Sequence, residues 1–121
     1  MRREDLYLFD IVEAADAIHK FVSEVSSEEF QRNDLIRSAV LQKLLIIGES
    51  AARLSDQFKS KRPGIPWRDI VSFRNIAIHA YFAVDWLIVW RAATINAPKL
   101  RRQIAEILAQ EFPETYKRLS N

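Results

Sequence analysis

The chain has 121 residues, 49% of them apolar, with two glycines, four prolines and no cysteine. That is the length of one ordinary domain, with enough apolar material for a core and few breakers to divide it, so a single mostly helical domain over residues 1–121 is expected. The lack of cysteine excludes a disulfide scaffold, a thiolate nucleophile and any Cys-containing zinc site, and two histidines, His19 and His79, are too few for a His-rich metal site within one chain.

The net charge is only +2, but it is unevenly spread. Residues 1–56 carry seven Lys/Arg against eleven Asp/Glu, and residues 57–121 carry eleven against five. A surface for a polyanion and two halves of a bundle attracting each other both fit this asymmetry. The opening MRREDLYLFD lacks the continuous apolar run of a signal peptide. The most apolar run, AYFAVDWLIVW, is too short to span a bilayer and is interrupted by Asp85. A cytoplasmic protein without a membrane partner is therefore expected.

In chain order, Leu8, Val12, Ala15, Ile18, Val22 and Val25 recur at steps of three and four, which predicts a helix from about residue 3 to 25, its stripe widened by Phe21. After Ser26 and Ser27, Glu28 and Glu29 suit the first turn of a new helix; a short turn there and a second helix beginning at Asn33 both fit. From Asp34 to about Phe58 a proline-free central helix is expected, with Leu41, Leu44, Leu45, Gly48 and Ala52 on one face. Gly48 lowers helix propensity by about 1 kcal/mol, but beside Ala51 and Ala52 it lets a neighbouring backbone come close. Glu49 lies in this small-residue patch, where an unpaired buried carboxylate is costly, so it should face water or meet an arginine.

KSKRPGIP, residues 59–66, is a loop, and its second proline suits the first turn of a helix running from Pro66 to His79 or Tyr81. Asp85 is the expected N-cap for WLIVWRAAT, and Pro98 marks a kink or restart before KLRRQIAEILAQEF. With no repeats and no strand-period alternation, the expected fold is all-α, an antiparallel bundle of four or five helices.

The segment RNIAIHAY, residues 74–81, places an arginine, an asparagine, a histidine and a tyrosine on one of these helices. Around an ideal helix Asn75 and His79 are roughly 40 degrees apart, Arg74 and His79 roughly 140, and Arg74 and Tyr81 roughly 20 if the helix lasts that far. A long cation, an amide and an imidazole able to move a proton near neutral pH suit RNA cleavage without a metal, in which the 2′-OH loses a proton, a phosphorane is stabilised and the 5′-oxygen gains a proton. One histidine is poorly placed to serve both ends of an in-line displacement, whereas a two-fold dimer supplies two. Trp67, Phe73, Phe82, Trp86 and Trp90 offer aromatic surface for such a dimer. The same residues also fit a plainer role, a histidine against the C-terminal dipole and solvated polar neighbours.

LLIIGESAARLSDQF, PGIPWRDIVSFRNIAIHAYFAVDWLIVW and PKLRRQI together resemble the HepT-like toxins, a branch of the HEPN superfamily. The family signature, Arg, four residues, His, one residue, Tyr, falls on Arg74, His79 and Tyr81, with polar Asn75 after the arginine; Ser50 stands where an alanine is expected. The resemblance implies an all-helical HEPN bundle and a homodimer with a composite cleft. It also implies metal-independent RNase activity centred on Arg74 and His79 with Asn75 as polar helper, and no cofactor. A further implication is an MntA-like nucleotidyltransferase antitoxin that transfers AMP to Tyr81. A different reading of the same likeness is a non-catalytic subunit of a nucleotidyltransferase complex, its cleft holding a nucleotide or substrate. Glu49 is a candidate orienting or structural acid; Arg37 and Arg53 are candidates to pair with it or with other acids, Arg53 standing four residues after it. Lys59, Lys61 and Arg62 are candidates to guide RNA, and His19 is left outside the site.

Overall fold

The computed structural model describes residues 3–83 and 85–119, with side chains at 80–83 excepted. Helix α1 (Glu4–Val22) opens with Glu4 and Asp5 in its first turn and closes with His19 and Lys20 in its last, both favourable to the helix dipole. Its stripe of Leu8, Ile11, Val12, Ala15, Ile18 and Val22 is buried. Both alternatives for the next segment are realised. Ser26 caps the short α2 (Ser27–Arg32) by accepting from the Glu29 amide at 3.1 Å, and Asn33 caps α3 (Asp34–Arg53) by accepting from the Ile36 amide at 3.0 Å.

The expected face of α3 is partly corrected. Leu41, Leu44 and Gly48 are buried, but Ile47 and Ala51 complete the stripe, while Leu45 is exposed and Ala52 only half-buried. The helix also stops short of Phe58. Leu54 is extended, and Ser55 caps a separate helix α4 (Asp56–Ser60) through the Phe58 amide. The Glu4 carboxylate accepts from both the amide and the hydroxyl of Ser55, at 3.1 and 3.3 Å, which fixes the break. Lys59 Nζ donates to the Ala51 carbonyl and so satisfies an end of α3.

Past the loop, the expected helix from Pro66 appears as α5 (Trp67–Val71) and α6 (Phe73–Ala83). They are joined at Ser72, whose carbonyl accepts from both Asn75 and Ile76. Pro66 stands just before the first helical residue rather than within it. Helix α7 (Trp86–Arg91) starts after Asp85, whose side chain makes no capping bond, contrary to expectation. A π-helical turn (Ala92–Asn96) follows and leads into α8 (Ala97–Glu111) and the short α9 (Pro113–Tyr116). Pro98 has no amide hydrogen and its ring crowds the carbonyl four residues back, so the widened turn just upstream accommodates it without a break.

Three sets of side-chain and backbone contacts give the directions. Glu4 meets Ser55, so α1 and α3 run antiparallel. Asp16 meets Arg101 at 3.0 Å and Asp5 meets Thr115, so α8 runs antiparallel to α1. Gly48, late in α3, abuts Arg74, early in α6, and Arg37, early in α3, lies over Trp86, just past the end of α6, so this pair is antiparallel too. The result is an all-α, HEPN-like bundle in which α1, α3, α5–α6 and α7–α8 are the principal rods around one apolar core. Most of the aromatic surface expected to be spare is used inside. Phe73 is buried, Trp67, Trp86 and Trp90 pack against the core, and Phe30 meets Trp86 edge-on and Trp90 at a tilt; the side chain of Phe82 lies outside the described residues. Among the described residues no helix is long and apolar enough to cross a membrane.

Candidate active site

Arg74 enters α6 in its first turn, where its backbone is held from two directions. Behind it, the Ser72 carbonyl ties down the start of the helix, and the Ser72 hydroxyl bonds back to the Asp69 carbonyl. In front stands Gly48 of α3. A Cβ on Gly48 would lie 2.6 Å from the Arg74 nitrogen, 3.0 Å from its Cβ and 3.1 Å from the Val71 carbonyl oxygen. Only glycine allows α3 and α6 to meet at this distance.

The next residue of α3 reaches the other end of the same arginine. Glu49 Oε1 accepts from Arg74 Nη1 at 3.4 Å, so the partner of Glu49 is the motif arginine rather than Arg37 or Arg53. Arg37 is otherwise engaged, with its guanidinium over the Trp86 ring at 4.6 Å and bonded to the Gln31 carbonyl. Sequence alone favoured Arg53 by its i, i+4 spacing, whereas the helix crossing at Gly48 brings Arg74 closer. The side chains of Arg74 and Glu49 are 39% and 43% exposed, so the pair contributes at most about 0.2–1 kcal/mol to stability. Its importance is directional.

Asn75 and His79 are exposed one turn apart, and among the described residues neither side chain makes a hydrogen bond. Helix α6 thus carries a held guanidinium at its start, a free amide next to it and a free imidazole one turn beyond the amide. An anion-binding group and a proton-moving group are the chemistry these side chains can supply. Tyr81 belongs to the same helix, which continues to Ala83, but its side chain lies outside the described residues.

The remaining candidates separate from this group. Arg62 stacks on Phe58 with its guanidinium carbon 3.9 Å from the ring centre, bonds the Phe58 carbonyl and pairs with Glu111. Its carbonyl also accepts from the Trp67 indole, so Arg62 organises the 61–66 loop. Lys59 is tied to α3, and Lys61 is exposed. Ser50, where alanine was expected, is buried. His19 is exposed beside an open groove of about 800 Å³ that Glu13, Lys20, Lys43 and Arg101 also line. That groove includes none of the motif residues.

The family described as ribonuclease HepT-like matches residues 11–107. A Methanocaldococcus jannaschii protein named "Putative RNase MJ1380" is 36% identical over 98 residues, 81% of this chain and 90% of that protein. "Probable ribonuclease HepT" of Thermococcus cleftensis is 36% identical over 101 residues, 84% of this chain and 92% of that protein. No solved structure matches. The chain belongs to the HepT-like ribonuclease family.

Proposed function

We propose that this chain is a single-domain, metal-independent endoribonuclease toxin of the cytoplasm, cutting RNA in a cleft shared by two copies. An MntA-like nucleotidyltransferase antitoxin silences it by transferring AMP to Tyr81. The observation that carries the reading is the pairing of Arg74 with Glu49 across the α3–α6 crossing, with Asn75 and His79 exposed further along the same helix.

In this mechanism one His79 imidazole takes the proton of the 2′-OH, which attacks the adjacent phosphorus. Arg74, with Asn75, stabilises the charge gathered on the phosphorane oxygens, and His79 of the second copy protonates the departing 5′-oxygen. The products are a 2′,3′-cyclic phosphate and a 5′-hydroxyl end. The exposed aliphatic residues Ile78, Leu87, Ile88 and Ile95 support a homodimer, because they lie on α6 and on the rod that follows it. Tyr81 is seven residues after Arg74 in one helix, roughly 20 degrees around it, so an added phosphate there would compete with RNA for the arginine. Lys61 is the basic-loop residue left free to guide RNA; Lys59 and Arg62 contribute only their remaining charge.

The test is cleavage of total cellular RNA in EDTA by the purified dimer, with intact mass showing Tyr81 free, beside folded, dimeric Arg74→Ala and His79→Ala proteins. New 5′-hydroxyl ends in the wild type and none in either variant are expected. Cutting by all three places the activity elsewhere. No cutting by any, with tight nucleotide binding, favours the non-catalytic subunit of a nucleotidyltransferase complex.

A further inference from the structure

Two consecutive residues of α3 grip the two ends of one arginine. Gly48 sets the distance between the helices at the Arg74 backbone, and Glu49 meets the guanidinium. The backbone of Arg74 is therefore fixed, while several rotatable bonds separate it from the guanidinium. Glu49 is the only contact described for that guanidinium, and it uses one nitrogen at 3.4 Å, leaving the other donors of the planar fork open. The open edge suits a phosphate, yet the same carboxylate stands as a negative charge beside any phosphate that binds there. A carboxylate adjacent to an anion site weakens binding of the ground state, and is useful only if it improves alignment for the transition state.

We infer that Glu49 is a positioning residue that aims the Arg74 guanidinium at the transition state at the expense of affinity for the RNA phosphate. The inference rests on the ribonuclease reading for the word transition state, but its binding half stands apart from it. Glu49→Gln keeps the shape and removes the charge, so it should bind RNA more tightly and cut it more slowly. Glu49→Asp keeps the charge and withdraws it by one methylene, so it should cut slowly without binding more tightly. A merely structural role for Glu49 would lower the amount of active protein and leave this split absent.

The experiment uses the full-length protein, with its fold checked by circular dichroism, and two RNAs of one sequence. A fully 2′-O-methylated strand, which lacks the attacking hydroxyl, reports binding by anisotropy; the unmodified strand reports kcat. The expected result for Glu49→Gln is a dissociation constant lowered about threefold or more with kcat lowered about tenfold. Glu49→Asp should show the fall in kcat alone. Unchanged binding and turnover in Glu49→Gln, or weaker binding, overturns the inference. If the wild type cuts no RNA, the ribonuclease reading fails. In that case tighter binding by Glu49→Gln alone still upholds the carboxylate's effect on the phosphate site, and equal binding overturns it.

Discussion

Gly48 and Arg74 are 26 positions apart in sequence and in backbone contact in space, and this contact controls the site. Gly48→Ala improves helix propensity by about 1 kcal/mol, but the new methyl meets backbone atoms that have little freedom to move. Overpacking of this kind costs about 1–3 kcal/mol. The expected outcome is a lower denaturation midpoint and a loss of RNA cleavage larger than the loss of folded protein, measured on the same sample. His79→Ala should behave oppositely: its exposed side chain leaves stability within about 0.5 kcal/mol, while cleavage disappears. The arginine, asparagine and histidine of the candidate site stand out in the sequence because their spacing is local. The ion pair was not, because Glu49 has an arginine four residues away along its own helix, and only the crossing of α3 and α6 shows which arginine is nearer.

At the level of elements, apolar periodicity, caps and prolines marked the long helices, but not the point where α3 ends. The pattern runs through Leu54 and Phe58 without interruption, yet α3 ends between them because Ser55 satisfies a new helix start and Glu4 holds Ser55 from across the bundle. A cap is one residue's signal set against many of the stripe, and its third partner is 51 residues away. Ser55→Ala removes the hydroxyl from both bonds and should destabilise the protein by about 1 kcal/mol, read as a shift in thermal unfolding. Asp85 shows the converse, a residue with the right chemistry in the right place whose side chain makes no cap. Pro98 marked a disturbance in the helix, and the structure meets it with a widened turn rather than a restart.

Across the whole molecule, the unequal charge of the two halves finds part of its explanation inside the fold. Asp16 pairs with Arg101 and Glu49 with Arg74, each bond joining the acidic half to the basic one. Apolar surface is also distributed differently from the sequence expectation: the aromatics pack inward, and Ile78, Leu87, Ile88 and Ile95 are left outside at 46–63% exposure. If these residues join two copies, Ile88→Glu with Ile95→Glu should give a monomer by light scattering, with an unchanged circular dichroism spectrum and no cleavage. The antiparallel bundle was legible because four apolar rods joined by short loops have few other ways to bury their stripes. The face proposed for a second copy was not, since a residue facing a partner and one facing the core obey the same periodicity.

The buried carboxylate of Asp5, bonded to Thr115, has a consequence for the order in which the chain is made. Asp5 leaves the ribosome early, and its hydroxyl partner follows 110 residues later. The contact between Gly48 and Arg74 joins residues that have both emerged well before then. The surface around Gly48 and Arg74 can therefore assemble on a nascent chain in which Asp5 still lacks its Thr115 partner, and α9 closes the bundle last.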